Sequence, residues 1–446
     1  VTTPTYNQTP AISGTGVASS TITVYDGVTS LGTTSADGSG NWTFTPGSNL
    51  TITTHTLTAT STISGQTSSA SSPVTLVIQT VPVPTVTVTS PTYNRTPTIS
   101  GTSIASSTIT VLDGGSSIGT TTTNSSGNWS FVPGSNLSIA SHTITATSTI
   151  SGQTSSASSP VTLVVQSVST PTVSVTSPTY NRTPTITGTA VANSTITILD
   201  GGSSIGTTTA NESGNWNFVP ASNLSIATHT ITATSTINGQ TSSASSPASL
   251  VVQSVSAPTV SVTSPTYNRR PVISGTAVAS STVTVLDGGS SIGTTVSNGS
   301  GNWTFTPSTN LSIASHTITA TNTVTGQTSS ASSPTTLVVQ LVTSPTVSFT
   351  TPTTDKTPTI SGTAIASSLI LIFDSDEYIG FSTSDGSGNW SFTPTVELAV
   401  GSHSITATAT KSEQISAASS AQTLVIELNE LLPIITSTID TIISGL

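Results

Sequence analysis

Cysteine is missing from all 446 residues. Its absence excludes a disulfide framework, a thiolate metal site and a thiol nucleophile together. It leaves the compartment open. Charge is nearly as scarce: Asp, Glu, Lys and Arg make up 5% of the chain, and the net charge is −10. An acidic balance of this kind argues against a nucleic-acid partner. Aromatic residues reach only 4%. No apolar run attains the ~18 residues that a membrane span needs. Nor does a signal peptide open the chain. Val1 aligns with Val88, inside a strand of the 87-residue repeat, and so reads as the start of a mature or trimmed fragment.

What the chain does hold is Ser, Thr, Val and Ile, a β-forming mixture. With 33% hydrophobic residues it is too apolar for a solvated disordered chain. The sequence is organised around Gly40-Asn41-Trp42-Thr43-Phe44-Thr45-Pro46. This string returns at Trp129, Trp216, Trp303 and Trp390, each 87 residues after the last, and there is no other tryptophan. His55, His142, His229, His316 and His403 keep the same step. So strict a period means five copies of one folding unit with no insertion between the tryptophans. The expected domains are 1–83 (its first strand truncated), 84–170, 171–257, 258–344 and 345–427, followed by a tail, 428–446.

Trp129 and Phe131 are two apart and share a strand face. They carry the largest apolar areas of their repeat. They are expected in the core, as are Trp42 and Phe44, Trp216 and Phe218, Trp303 and Phe305, and Trp390 and Phe392. Within 84–170, seven short strands follow one another. Strand A is expected over 84–90, B over 98–102, C over 107–112, D through Ile118, E through Trp129 and Phe131, F over 142–150, and G ending at Leu163–Val165. Gly101 in strand B marks a bulge or a close backbone approach. Turn signals every 8–12 residues and alternating strands read as an antiparallel β-sandwich. Apolar packing alone must hold its two sheets together.

The strings Thr-Pro-x-Ile-x-Gly-Thr, Thr-Ile-Thr-Val-x-Asp-Gly, Ile-Gly-Thr-Thr, Ser-Gly-Asn-Trp-x-Phe-x-Pro, His-x-Ile-Thr-Ala-Thr and Ser-x-x-Ser-Ser-Pro recur in this order over about residues 1–427. Together they resemble the bacterial immunoglobulin-like repeat domains of large cell-surface adhesins. The resemblance implies an all-β chain: a rod-like tandem array of five seven-stranded immunoglobulin-like β-sandwiches with a short C-terminal extension. It also implies a cell-surface stalk, without fixing a ligand. Short linkers with proline, such as Ser167–Pro171, favour stiffness. At about 35–45 Å per module the rod would approach ~200 Å.

Strand alternation places the A–B loop, the C–D turn and the start of F at the trailing end of each module. The B–C, D–E and F–G turns fall at the leading end, facing the trailing end of the module before. Tyr93, Arg95 and Asp113 are therefore candidate joint residues, with Tyr180, Arg182, Asp200, Tyr267, Arg269 and Asp287. In the last module Tyr-Asn-Arg becomes Thr354-Asp355-Lys356, which fits a joint role; drift in a surface loop fits as well. In related adhesin repeats aspartates at such joints bind calcium. Here Asn124, Asn211 and Asn298 stand at those positions, and one Asp per joint is too few. Asp374, Asp376 and Glu377 in one turn of the fifth module form either a weak cation site or a solvated acidic turn. No cofactor is otherwise expected.

Gly115-Ser-Ser117-Ile-Gly119 matches a hydrolase nucleophile pattern, but it lacks the strand–turn–helix setting that the chemistry needs. Each module's single histidine has no second histidine or cysteine to join it. It reads as a strand-edge residue bonded to a loop rather than a metal ligand or triad member. Asn-x-Ser/Thr triplets at Asn94, Asn128, Asn136, Asn181, Asn223 and Asn302 are glycan acceptors only where the source modifies Asn. In the tail Leu432, Ile435, Ile439, Ile442 and Leu446 are spaced 3, 4, 3, 4. That suits an oligomerisation or packing element, the start of a further domain, or a strand that completes another chain's first module.

The function expected is a non-enzymatic stalk, extracellular on a cell or virion surface, with neighbouring copies or other parts of a surface assembly as partners. The alternative is a self-assembling filament, sheath or virion-fibre subunit. Glycan-binding modules fit less well, because the aromatic residues are committed to the core.

Overall fold

A computed structural model describes residues 1–429. The readings of the tail fall outside the described residues. Every described element is a strand or a turn. The described residues form two compact units, one of residues 1–176, 183–223 and 228–250, the other of 177–182, 224–227 and 251–429. Five tandem two-sheet sandwiches repeat one plan.

In the second module the strands are A (Thr87–Val88), B (Ile99–Thr102), C (Thr108–Asp113), D (Ser116–Thr122), E (Asn128–Phe131) and F (Ser141–Ile150). Strand G comes in two pieces, Gln153–Thr154 and Val161–Val164. A, B and E make one sheet; D, C, F and G make the other. Every pairing within the strands is antiparallel. Alternate residues of C and F, including Ile109, Val111, Ile144 and Ala146, are fully buried between the sheets. Trp129 and Phe131 join them from strand E.

Serine explains the gap in strand G. The Ser155 and Ser158 amides donate to the Ser148 and Ala146 carbonyls of strand F. Their hydroxyls accept the return bonds from the Ser148 and Ala146 amides, each at 3.0 Å. A hydroxyl thus stands where a ladder carbonyl would, and the Ser-Ser-Ala-Ser-Ser string carries the chain past six residues with F's backbone still satisfied.

Gly101 is a close approach. A Cβ there would lie 1.9 Å from the Thr85 carbonyl oxygen of strand A and 2.8 Å from the Trp129 ring. Glycine lets A cross directly over the indole. Gly188, Gly275 and Gly362 sit under the same carbonyl in their modules, but over Gly14 there is none. Accordingly Trp129, Trp216, Trp303 and Trp390 are buried, whereas Trp42 is half-buried beside an open groove of about 590 Å3. Phe44 and Phe131 are buried, and Phe218, Phe305 and Phe392 are half-buried at the sandwich edge.

Candidate functional site at the module joints

Two loops build each joint. In the second module the A–B loop is pinned by a reciprocal pair of bonds: the Leu137 amide donates to the Arg95 carbonyl at 2.8 Å, and Arg95 Nε donates to the Leu137 carbonyl at 2.7 Å. Asn94 Oδ1 accepts the Thr96 amide and closes the turn. The Tyr93 carbonyl is left to a partner outside the module. From the other side comes the F–G turn of the third module, which passes through Asn238 and Gly239 at positive φ (49° and 77°). It delivers Gln240, whose Nε2 donates to Tyr93 O at 2.5 Å and to Gln166 O at 3.2 Å.

The contact recurs at each junction. Gln153 donates to the Tyr6 carbonyl, Gln327 to those of Tyr180 and Gln253, and Gln414 to those of Tyr267 and Gln340. Where both carbonyls are reached, one side-chain amide spends both its protons on the preceding module. Gln153 and Gln414 are buried, while Gln66 of the first module is exposed. Apolar cover comes from the linkers, whose Val81, Val168, Val255 and Val342 are all buried. At the fourth joint the Tyr267 ring packs with Ala364 and Ile365 against the fifth module's core.

The candidate joint residues divide by what they bind. The three tyrosines supply the carbonyls. Arg95, Arg182 and Arg269 each bond a carbonyl of their own module's E–F loop. Arg95 also lines a polar crevice of about 390 Å3 with Asn94, Asn136, Asn238 and Gly239, at the second joint. Asp113, Asp200 and Asp287 are held by histidine inside their modules. Thr354, Asp355 and Lys356 are exposed, and Lys356 pairs with Glu397 at 3.2 Å. The glutamines are the residues that sequence reasoning missed. Their signal was present: Gln66, Gln153, Gln240, Gln327 and Gln414 keep the 87-residue step on the turn that faces the previous A–B loop.

A second constellation lies at the trailing end. His142 Nδ1 is 2.6 Å from Asp113 Oδ2, and Nε2 is 2.9 Å from the Ser138 carbonyl. Asp113 Oδ1 accepts the Thr143 amide. With acceptors on both sides, the ring satisfies both only as an imidazolium. Burial opposes that charge, but the Ser138 carbonyl and the Asp113 carboxylate outweigh it and raise the pKa. His316 and His403 are raised the same way, by Ser312 O with Asp287 and by Ala399 O with Asp374. For His55 burial is again opposed, with Asp26 ahead of the Thr51 carbonyl. Ser138 Oγ lies 3.3 Å from Nε2, so Ser, His and Asp do meet. The geometry does not suit a nucleophile, because Nε2 already donates to a carbonyl and has no lone pair to accept the serine proton. In the fifth module alanine replaces the serine and the carbonyl bond persists at 2.7 Å.

That clamp also bears on the acidic turn. Asp374 Oδ2 is 2.5 Å from His403 Nδ1, and its Oδ1 accepts the Ser404 amide. Both its oxygens are engaged, leaving Asp376 and Glu377 exposed beside it. Among the described residues no group of three or more His, Asp or Glu side chains converges as metal donors would.

Sheet order, buried indole and repeated joint define the class: a tandem chain of antiparallel two-sheet sandwiches. The chain belongs to the bacterial Ig-like domain family, whose pattern matches residues 3–80, 88–167, 169–254, 259–340 and 349–427. No curated protein matches it. Among solved structures it is similar to a tetra-tandem repeat in the extending region of a large adhesion protein. There the identity is 20%, with 77% of this chain and 100% of that chain covered, at a TM-score of 0.27. It is also similar to immunoglobulin domains 1–5 of Sidekick-1, at 12% identity, 95% and 96% coverage and a TM-score of 0.23. A biofilm-associated protein's BSP domain matches at 11% identity, 78% and 96% coverage and a TM-score of 0.18.

Proposed function

We propose that this chain is a non-enzymatic extracellular spacer, the repeat stalk of a surface adhesin. The observation that carries this reading is the joint. A glutamine amide fixed to the preceding module's backbone, above a buried linker valine, recurs at every junction. Such joints resist reorientation without needing a cation. The low charge and the six Lys and Arg residues leave few sites for trypsin-like proteases. A second reading is a subunit of a filament, sheath or virion fibre, with copies of the chain packing on one another.

Light scattering of the purified chain at micromolar concentration separates the two. Monomers are expected for the stalk; long polymers would replace it with the filament reading. Pulling single molecules adds a direct test of the mechanical role. Five unfolding events are expected, each releasing about 300 Å of contour less the folded module's span. Extension without discrete events would overturn a spacer that holds its length under tension.

A further inference from the structure

Asparagine is followed by glycine twice in the chain, at Asn238-Gly239 and at Asn298-Gly299. That pairing opens the asparagine carboxamide to attack by the next backbone nitrogen, since glycine has no Cβ to shield the approach. The two pairs are held differently. Asn298 lies in the D–E turn of the fourth module, where its Oδ1 accepts the Ser300 and Asn302 amides, each at 2.9 Å. Turning that carboxamide toward the Gly299 nitrogen breaks both bonds. Asn238 lies at the tip of the third module's F–G hairpin. Ile237 pairs with Gln240, so Asn238 and Gly239 are the whole turn, both at positive φ as a type I′ connection requires. Asn238 is exposed, and its carboxamide meets no partner among the described residues. At this position the other modules carry Ser64, Ser151, Thr325 and Ser412, none of which has an amide to lose.

The next residue gives that chemistry a consequence. Gln240 Nε2 donates to the Tyr93 and Gln166 carbonyls of the preceding module. Its reach is set by the turn, because loop length fixes the register of a hairpin. Asn238 and Gly239 also line the crevice of the second joint, with Arg95 among its walls.

We propose that Asn238 is a site of spontaneous deamidation, and that its conversion to isoaspartate releases the second joint. The Gly239 nitrogen gives its proton to hydroxide and bonds to Cγ of Asn238. The Cγ–Nδ2 bond breaks, and ammonia leaves with a proton taken from water. A five-membered imide remains, and water opens it at either carbonyl. Opening at Cγ yields aspartate and leaves the backbone as it was. Opening at the backbone carbon yields isoaspartate, whose chain runs through Cβ and Cγ and is one atom longer. Either product carries a carboxylate, and no electron changes hands. The longer turn no longer fits the Ile237–Gln240 pair, so Gln240 is carried off the two carbonyls. The change is irreversible without a repair enzyme, and of the joint turns it can strike this one alone.

Ageing the full chain at mildly alkaline pH tests the proposal, read by peptide mapping and by isoaspartate-specific methylation. Asn238 is expected to convert roughly tenfold or more faster than Asn298, the factor that two net hydrogen bonds represent. As isoaspartate accumulates, the Gln240 amide should lose its protection from hydrogen exchange. Cleavage after Val168 by an elastase-like protease should quicken in step, by roughly tenfold at full conversion. Asn238→Ser installs the residue of the first and second modules, and should keep both readouts at their starting values through ageing. Asn238→Asp supplies the charge without the extra backbone atom, and should behave as the fresh parent chain does. Conversion of Asn298 as fast as Asn238 would overturn the site. Isoaspartate at position 238 with exchange and cleavage unchanged would overturn the release. Fast cleavage of Asn238→Asp before ageing would assign the effect to charge, against the lengthened turn.

Discussion

The histidine clamp makes stability depend on pH in a direction opposite to the usual acid sensitivity of carboxylates. The raised pKa of His142 means that the clamp contributes fully below the ordinary histidine value of 6.5. The contribution is lost as pH rises through the folded-state value. The urea midpoint of the chain should therefore fall between pH 6 and pH 9. In His142→Gln the second module's amide protection should lose this dependence while the fourth module's keeps it. Asp113→Asn removes a charge-assisted bond and should cost that module about 1.5–3 kcal/mol near pH 6 by urea unfolding. Tryptophan gives a second test at this scale. The buried Nε1 of Trp129 has no partner. Trp129→Phe should thus cost far less than Trp129→Ala, for which about 3–5 kcal/mol is expected from the lost volume. The pairing of histidine with aspartate was beyond sequence reading. The two lie 29 residues apart on different strands, and only the register of C against F brings them together.

Among the elements, strand G is read from the sequence as one strand and is found in two pieces. Its serine-rich middle leaves the ladder, yet it continues the backbone bonding of F through side-chain hydroxyls. Replacing Ser155 and Ser158 by alanine leaves the Ser148 and Ala146 amides short of acceptors, at about 1–3 kcal/mol each. Faster exchange at those two amides is the expected readout. The remaining strands were legible because their chemistry is local: alternation gave C and F, and turn residues gave their ends. Gly101 was readable as either a bulge or a close approach, and the strand A carbonyl above it decides for the second. Gly101→Ala should displace strand A, exposing Trp129 to iodide quenching. The joint was half legible. Strand direction put the A–B loop against the next F–G turn, but a reading confined to tyrosine, arginine and aspartate side chains passed over the backbone carbonyls and the glutamine that seeks them.

For the whole molecule, a repeat whose units meet at small joints, built on a glutamine amide and a linker valine, has stability that is nearly a sum of module and joint terms. Gln240→Ala should leave the second and third modules as stable as before in denaturant. It should loosen the linker between them. Cleavage after Val168 by an elastase-like protease is expected to quicken roughly tenfold, as opening of a single bonded contact allows. Unchanged cleavage would mean that the valine and not the glutamine holds the joint.

Four indoles in this chain lie under the backbone segment that opens their module, and Trp42 does not. Trp42 should emit at longer wavelength than the other four, and an added iodide ion should reach it first. A peptide with the sequence of Pro84–Ser90, which covers the equivalent indole in the second module, should shift that emission to the blue if it settles over Gly14. The emission of Trp42 thus reports, without a label, whether a strand lies over Gly14.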